Sequence, residues 1–433
     1  MIQKLFDFIK KSPSQFHAVQ NIAHTLSENN FTELFECEKW NLAPGGKYFV
    51  RRNSSSVIAF SLPDSDFNAV RPFLLCASHS DSPSFKIKEN PEIKSAGAVV
   101  LNVEKYGGML LNPWFDRPLS VAGRLVVRNR NGGKFSVKEI LVSIDRDLVM
   151  IPNLAIHFDR EANDGRKIDV QSEIRPVLSL DEKSNLLSLI AKSASVEESD
   201  IISHDLFLYN RSEPSVWGAE NEFISAPKLD DLECAFTTLQ GFLQSVKNGS
   251  DSADSHKSIP VYCVFDNEEV GSSSRQGADS TFLSDTLSRI SEKLNWSGED
   301  FKISLSKSIM LSADNAHAVH PNYVSKSDPV NQPKINGGIV IKFNAAQKYT
   351  SDALSSALFK EICREEGVPF QIFTNNSNVA GGSTLGNISQ NHVSIQCLDI
   401  GLPQWAMHSP YESAGAKDVE FMIRAVEKFY SAL

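Results

Sequence analysis

The chain has 433 residues, of which 41% are hydrophobic and 22% are charged, and its formal net charge is −10 at pH 7. This composition is that of a globular protein, and the length favours two domains or one domain with a large insertion. The acidic balance argues against nucleic acid or an anionic membrane as partner, because both attract basic surfaces. The cysteines form no C-x-x-C pair and the N-terminus has no continuous apolar stretch, so the sequence predicts a cytoplasmic protein.

The first chemically suggestive motif follows a short apolar run. Residues 1–30 predict two amphipathic helices broken at 12–14, and Phe73–Ala77 then predicts a buried strand. His79 and Asp81 come directly after that strand. At this spacing a carboxylate can orient an imidazole that binds metal, which sets the tautomer and basicity of the ring. A histidine in an ordinary loop is the alternative interpretation.

From about residue 95 to 225 the chain consists of short alternating segments separated by turn residues. This pattern predicts an inserted β-rich domain without a helical core of its own. The predicted division is therefore a catalytic domain in two parts, 1–94 and 226–433, around the insertion 95–225. Insertions of this size usually cover a site or make subunit contacts. His157 ends an apolar run inside the insertion, and the residue pattern alone favours a packed histidine.

The carboxylates of the second catalytic part stand at the ends of predicted elements. Asp230 and Asp231 begin a helical pattern, and helix capping explains one of them. The apolar strand Val261–Phe265 runs into the sequence D-N-E-E. Its two adjacent glutamates, Glu268 and Glu269, are costly at a buried strand end unless positive charge lies between them. A solvated acidic turn is the alternative.

Later strands end in the same way. The apolar run 308–312 leads into Asp314, and His320 behind it is a candidate for binding substrate. The last predicted strand is followed by His408. Lys342 is a lone lysine within another strand pattern, for which an ordinary strand-edge lysine is the alternative.

Helices and strands alternate outside the insertion, which predicts an α/β fold with a mixed or parallel sheet covered by helices on both faces. Ligands bind at the carboxyl ends of the strands in such sheets. The strand-end candidates form a set of nitrogen and oxygen ligands: His79, Asp230, Glu268, Glu269, Asp314 and His408. This set suits zinc, cobalt or manganese. Two such ions about 3.5–4 Å apart would activate a water, while a free glutamate moves the proton.

Five stretches resemble the aspartyl aminopeptidases, a family of dizinc metallopeptidases. They are A-S-H-S-D-S-P (77–83), A-P-K-L-D-D-L (226–232), D-N-E-E-V-G-S-S-S-R-Q-G-A (266–278), S-A-D-N-A-H-A-V-H-P-N-Y (312–323) and A-M-H-S (406–409). They follow the family's order over nearly the whole chain. The resemblance implies that the metal ligands are His79, Asp230, Glu269, Asp314 and His408. It also implies that Asp230 bridges the ions, that Glu268 is the general base and that Asp81 orients His79.

The resemblance further implies that the insertion is a dimerisation domain and that dimers assemble into a tetrahedral dodecamer. It implies that His157 reaches into a neighbouring subunit's site to hold the substrate carbonyl. Lys342 would lie near the pocket for an acidic first side chain. Relatives often have Asp and Cys where this chain has Asn378 and Gly381, and the missing carboxylate bears on the preference for N-terminal Asp or Glu.

The predicted protein is a homo-oligomeric aminopeptidase that acts on short peptides through two divalent metal ions. A carboxypeptidase or amide deacylase on the same metals is one alternative, but it needs a cation for a free carboxylate, and the sequence marks none clearly. A non-catalytic peptide-binding or assembly protein is the other. Loss of Glu268 or of a ligand would have favoured it, and all six candidates are present.

Overall fold

The structure is a computed structural model that describes residues 1–130, 136–249 and 257–432. The described α-helices are α1 (Ile2–Lys10), α2 (Gln15–Glu28), α3 (Leu186–Ala194), α4 (Leu229–Gly249), α5 (Phe282–Lys293), α6 (Gly298–Lys307), α7 (Ala353–Glu366), α8 (Leu385–Ser389) and α9 (Asp418–Ser431). None of these helices is long and apolar enough to span a membrane.

The described strands up to the end of the predicted insertion are β1 (Thr32–Leu34), β2 (Lys47–Arg52), β3 (Ser56–Ser61), β4 (Phe73–His79), β5 (Ser84–Ser95), β6 (Ala98–Tyr106), β7 (Leu119–Arg128), β8 (Val137–Ser143), β9 (Val177–Ser179), β10 (Ile201–Asn210), β11 (Ser215–Trp217) and β12 (Phe223–Ala226). The later strands are β13 (Ile259–Phe265), β14 (Ile309–Ala313), β15 (Ala316–His317), β16 (Ile339–Phe343), β17 (Phe370–Thr374), β18 (Gln396–Gly401), β19 (Pro403–Trp405) and β20 (Glu412–Gly415).

The central element is a mixed nine-stranded sheet with the order β1-β2-β3-β13-β4-β14-β18-β16-β17. Its middle strands β13, β4, β14 and β18 are parallel to one another. Alternate residues of β4 enter different cores: Leu74 and Cys76 pack with residues of α4 and α9, whereas Leu75 and Ala77 pack with residues of α5. Successive side chains of a strand point to opposite faces, so helices cover both sides of the sheet. The predicted α/β class is confirmed.

A second sheet has six strands in the order β8-β7-β10-β5-β6-β9. Its apolar side chains form a core of their own, in which Phe85, Leu125 and Leu206 are buried. The sequence predicted no helical core here, but α3 lies in this region and contributes Leu186 and Ile190 to the same core. The helical pattern of α3 was missed because the helix is only 9 residues long and is flanked on both sides by polar residues.

A third sheet, with the order β11-β12-β20-β19-β15, has five strands. Strand β12 ends at Ala226, shortly before α4 begins, and pairs with β20, which begins at Glu412. This small sheet therefore brings the start of α4 and the segment between β19 and β20 together. Asp230 lies in the first of these segments and His408 in the second.

Candidate metal centre

Three neighbouring parallel strands bring the first candidate residues to one edge of the nine-stranded sheet. Phe265, the last residue of β13, is paired with His79 at the end of β4. Ala77 of β4 is paired with Ser312 of β14. Glu268 and Asp314 follow the ends of β13 and β14, so they lie at the same edge as His79. This is the edge at which open α/β sheets bind ligands.

Asp230 approaches this edge from the start of α4. The backbone of Asp230 and Asp231 is not helical, with φ −82° and ψ 108° at Asp230. Both side chains are buried, and Asp231 Oδ2 accepts a hydrogen bond from the backbone N–H of His79 at 3.1 Å. The irregular start of the helix thus turns both aspartates towards the strand ends. One of the pair was expected to cap the helix, but Asp231 instead accepts its backbone hydrogen bond from the end of β4.

Asp230 is common to two groups of potential metal ligands. In one group it lies with His79, Asp231 and Asp314, and in the other with Glu269 and His408, with all ligand atoms of each group within 4.8 Å of one another. A third group, without Asp230, consists of His79, Glu268 and Glu269. Asp230 Oδ1 is 3.6 Å from His79 Nε2, and Asp230 Oδ2 is 3.3 Å from His408 Nε2. The two oxygens of one buried carboxylate therefore face two different imidazoles.

The chemistry of this site fits metal cations. Asp230 Oδ1 and Glu269 Oε1 are buried and have no hydrogen-bond partner. Leaving such atoms unsatisfied costs about 1–3 kcal/mol each, more when they are charged. Burial raises the pKa of Glu268 to about 8, and burial together with the charge of Asp230 raises the pKa of Glu269 well above its usual range. Bound cations would satisfy these oxygens, and zinc commonly takes histidine and carboxylate ligands.

The imidazoles and the Asp230 carboxylate shift one another's pKa values. Burial alone would lower the pKa of His408, but the adjacent Asp230 carboxylate raises it to about 9. Burial opposes ionisation of Asp230, yet His408 and His79 hold its pKa below the usual range. These shifts show that the site favours positive charge around Asp230.

Asp81 supports both His79 and the paired glutamates. His79 Nδ1 lies 3.0 Å from the backbone oxygen of Asp81 and 3.4 Å from its carboxylate. The Asp81 carboxylate accepts hydrogen bonds at 3.1 Å from the backbone N–H groups of Glu268 and Glu269. It also accepts one at 2.7 Å from the hydroxyl of Tyr106. Asp81 therefore fixes the main chain of the glutamates as well as the imidazole.

His408 is held on two sides. Its ring Nδ1 donates to the backbone oxygen of Gly108 at 2.6 Å, which leaves Nε2 to face Asp230 and Glu269. Its backbone N–H donates to Glu412 Oε1 at 2.7 Å, and the other oxygen of Glu412 accepts from the backbone N–H of Asp230 at 2.9 Å. Hydrogen-bond partners of this kind orient metal ligands and raise the affinity of the site for metal.

A cavity of about 190 Å³ opens beside the ligand groups, lined among others by Glu268, His317, Lys342 and Tyr349. The Lys342 ammonium is 3% exposed, donates to the backbone oxygen of Asn315 at 3.0 Å and lies 3.7 Å from Asp314 Oδ1. Burial alone would lower the pKa of Lys342, but the Asp314 carboxylate raises it. The charge of Lys342 is thus partly balanced by Asp314.

Two predicted residues lie apart from the ligand groups. His157 is exposed in the region of the six-stranded sheet and belongs to none of the ligand groups found among the described residues. His320 packs between the rings of Tyr323 and Trp405 and does not line the cavity described above. Within the segment after β14, His317 lines that cavity instead.

Three residues support the candidate ligands without having been predicted to do so: Asp231, which was expected at most to cap a helix, Tyr106 and Glu412. Asp231 is the second half of an adjacent acidic pair, and that pairing was the available signal. Tyr106 and Glu412 contact residues that are distant in sequence, so no local pattern marks them.

Comparison with known proteins agrees with this geometry. The profile of a family described as "Aminopeptidase I zinc metalloprotease (M18)" matches residues 8–430. The chain belongs to the M18 family. A relative named "Probable M18 family aminopeptidase 2" from Clostridium acetobutylicum is 45% identical over 99% of this chain and 98% of its own length. The family resemblance is thereby confirmed, and the chain is a metallo-aminopeptidase of a zinc metalloprotease family.

Solved structures of M18 proteins have the same fold. In the structure described as "Cryo-EM structure of the Ape4 and Nbr1 complex", the matched chain superposes with a TM-score of 0.95 at 36% identity, over 99% of this chain and 85% of that one. The S. cerevisiae mApe1 dodecamer gives a TM-score of 0.86 at 26% identity, over 99% and 97% of the two chains. The family membership favours the aminopeptidase over the carboxypeptidase, deacylase and non-catalytic alternatives.

Proposed function

We propose that this M18 aminopeptidase removes the N-terminal residue from short peptides at a two-metal centre, in which Asp230 would be a ligand of both metal positions. The proposal rests on the position of Asp230, a 3% exposed carboxylate that belongs to two of the ligand groups. His79 and Asp314 would complete one position, and Glu269 and His408 the other. Bound zinc ions supply an acidified water and polarise the scissile carbonyl.

Glu268 is proposed as the general base. It lines the cavity, and its carboxylate accepts no hydrogen bond from another described residue, so no donor competes for its oxygens. Bound cations would lower its pKa and keep it ionised, as a base must be. Its backbone is fixed by Asp81, which limits where the carboxylate can move. In this role Glu268 takes a proton from the attacking water and delivers it to the leaving amino group, a contribution of about 10²–10⁴ in rate.

The proposed preference for Asp or Glu as the first residue is supported by Lys342, the lysine that lines the cavity. Because Asp314 is 3.7 Å from the ammonium, Lys342 attracts a second carboxylate less than an unpaired lysine would. Gly381 precedes Gly382 and Ser383, which line the same cavity as Lys342, and the side-chain amides of Asn344 and Asn375 lie next to it. These amides are neutral, so we expect a preference for acidic residues rather than an absolute requirement.

A homo-oligomer is proposed from a second set of observations. His157 is flanked by three exposed apolar side chains: Leu154, Ile156 and Phe158 are 56%, 49% and 81% exposed. Large apolar side chains exposed this close together in the chain are typical of a surface that another chain covers. The S. cerevisiae relative mApe1 is described as a dodecamer. On this basis His157 would enter the site of a neighbouring subunit and donate to the substrate carbonyl.

The direct test compares Glu268→Gln with Glu269→Gln in release of free amino acid from peptides that begin with Asp, Glu, Leu or Lys. We expect Glu268→Gln to lose at least about 10²-fold in kcat while its zinc content is unchanged. Glu269→Gln should lose zinc as well as activity. A chelator should abolish turnover of the unaltered enzyme. Near-normal rates in Glu268→Gln would exclude this residue as the base.

A further inference from the structure

A short segment before α8 forms one wall of the cavity at the metal centre. Gly382 and Ser383 are exposed and line this cavity, whereas the next residue, Thr384, is only 1% exposed. Helix α8 (Leu385–Ser389) follows directly. Thr384 is therefore the residue at which the cavity wall enters the protein core. The proposed reaction does not use it.

Helix α8 packs directly against the strands that lead to the metal centre. Leu385 is fully buried. A Cβ built on Gly386 would lie 2.8 Å from Asp399 Oδ1 of β18 and 3.1 Å from Ser312 Cβ of β14. These distances leave no room for a side chain, so the helix backbone contacts both strands. Thr384, immediately before the helix, is thereby held in a fixed position.

The hydroxyl of Thr384 contacts one of the proposed metal ligands. It donates a hydrogen bond to Asp314 Oδ2 at 2.5 Å, a length typical of a hydroxyl bound to an ionised carboxylate. Within the described parts of the chain, no other group donates a hydrogen bond to this carboxylate. The main chain of Asp314 is fixed separately, because its N–H donates to the backbone oxygen of Ile400 at 3.0 Å. Thr384 therefore determines how the carboxylate is oriented.

The other oxygen of the same carboxylate faces Lys342. The ammonium lies 3.7 Å from Asp314 Oδ1, which is longer than a hydrogen bond. The side chains are 3% and 13% exposed, and opposite charges attract more strongly when they are shielded from water. A carboxylate that was free to rotate would therefore approach the ammonium. The bond from Thr384 to the far oxygen keeps the two charges apart.

This separation matters to both charged groups. In the proposed centre, Asp314 is a ligand of the metal position that also contains His79, and Lys342 attracts an acidic first side chain of the peptide. In a closed ion pair, the carboxylate oxygen and the ammonium would bind each other. The oxygen would then be less available to metal, and the ammonium less available to substrate.

We propose that Thr384 is a positioning residue that holds the Asp314 carboxylate away from Lys342, and that its hydroxyl thereby supports both zinc binding and the preference for an acidic first residue. This inference rests on the proposed two-metal function and on the proposed role of Lys342. It makes one hydroxyl group responsible for two measurable properties.

The first test is independent of metal and of activity. Thr384→Val removes the hydroxyl with little change in shape, and Thr384→Ser keeps it. In crystals of the metal-free valine variant, we expect Lys342 Nζ to lie about 2.7–3.2 Å from the nearest oxygen of Asp314, against 3.7 Å in the unaltered chain. The serine variant should keep the longer distance. An unchanged separation in Thr384→Val would overturn the proposal.

Zinc affinity, measured by competition against a chelator, is the second test. Thr384→Val should weaken the binding of one zinc ion by about 10–100-fold and leave the ion at Glu269 and His408 nearly unaffected. Thr286→Val is the matched control, because this buried threonine of α5 donates to the backbone oxygen of Phe282 at 2.8 Å and contacts no proposed ligand. Equal zinc affinity in the two valine variants would refute the proposal.

Steady-state rates at saturating zinc supply the third test, with peptides that begin with Asp or Leu. The ratio of kcat/KM for Asp over Leu should fall by about tenfold in Thr384→Val, the lower end of what one hydrogen bond to a charged group contributes. Thr384→Ser should keep the ratio. A merely structural role would lower both rates equally, so an unchanged ratio in an enzyme that prefers Asp would contradict the proposal.

Failure of the underlying function has a different signature. A single zinc ion in the unaltered enzyme would contradict the two-metal centre, and equal rates on Asp and Leu peptides would contradict the acidic preference. In either case, the distance between Lys342 and Asp314 in the crystals of the two variants still decides whether Thr384 holds the carboxylate. Circular dichroism checks that both variants are folded.

Discussion

Replacement of Glu412 by alanine is expected to loosen two proposed metal ligands at once. The carboxylate is 1% exposed and accepts the backbone N–H groups of Asp230 at 2.9 Å and His408 at 2.7 Å. Alanine leaves both donors buried without a partner, at about 1–3 kcal/mol each. The free energy of unfolding should therefore fall by about 2–6 kcal/mol. Supporting residues of this kind typically change metal affinity by about 10–100-fold.

The assay combines denaturant unfolding of the metal-free protein with zinc affinity from competition against a chelator. Glu412→Gln keeps one acceptor oxygen but turns an amide N–H₂ towards the other donor, so its effects should be intermediate. Glu220→Gln, an exposed glutamate in the loop before β12, is the control and should behave like the unaltered enzyme. Unchanged unfolding and unchanged zinc affinity in Glu412→Ala would refute the idea that this carboxylate positions the ligands.

Three further substitutions test single side chains. Tyr106→Phe removes the 2.7 Å hydrogen bond to Asp81, and chemical unfolding should show a loss of about 1.5–3 kcal/mol, with a lower kcat/KM because the glutamate backbone is less well held. His157→Phe should lower kcat/KM by about 10–100-fold in steady-state assays while the thermal midpoint stays unchanged. The pKa of His17 is lowered from 6.5 to about 4, chiefly by burial, so the folded state binds fewer protons than the unfolded state between these values. Stability should fall by up to about 3 kcal/mol as the pH drops from 6.5 to 4, and His17→Gln should remove that part of the loss in unfolding experiments.

Each of these predictions has an outcome that contradicts it. Tyr106→Phe with unaltered stability would mean that Asp81 needs no support from the β-rich region. An unchanged rate in His157→Phe, measured on the assembled enzyme, would return this residue to a structural role. For His17, the free energy of unfolding is measured at pH 5 and pH 7.5 for both the unaltered enzyme and His17→Gln. Equal acid sensitivity with and without the imidazole would contradict the shifted pKa.

The sequence predicted much of the site because strand ends in an open α/β sheet converge. His79, Glu268 and Asp314 each follow a buried apolar run, and the structure brings them to one edge of the nine-stranded sheet. The family resemblance supplied the roles of Asp230 and His408, whose positions depend on the small sheet formed by β12, β19 and β20. Patterns within single segments do not reveal that pairing.

The supporting contacts were less predictable. Glu412 accepts hydrogen bonds from backbone N–H groups, which every residue except proline has. The identity of its partners in the sequence therefore gives no sign of the contact. Gly108 acts through its carbonyl oxygen, which is equally invisible in a sequence. Lys342 was recognised as a candidate for substrate binding, but its contact with Asp314 required the fold. The division into domains at residues 95 and 225 and the cytoplasmic location stay predictions.

The most direct test of the two-metal proposal is anomalous diffraction at the zinc edge from crystals of the zinc-loaded enzyme. Two peaks are expected about 3.5–4 Å apart, both in contact with Asp230. One should also contact His79 and Asp314, and the other Glu269 and His408. A single peak, or peaks that do not share Asp230, would contradict the proposed centre.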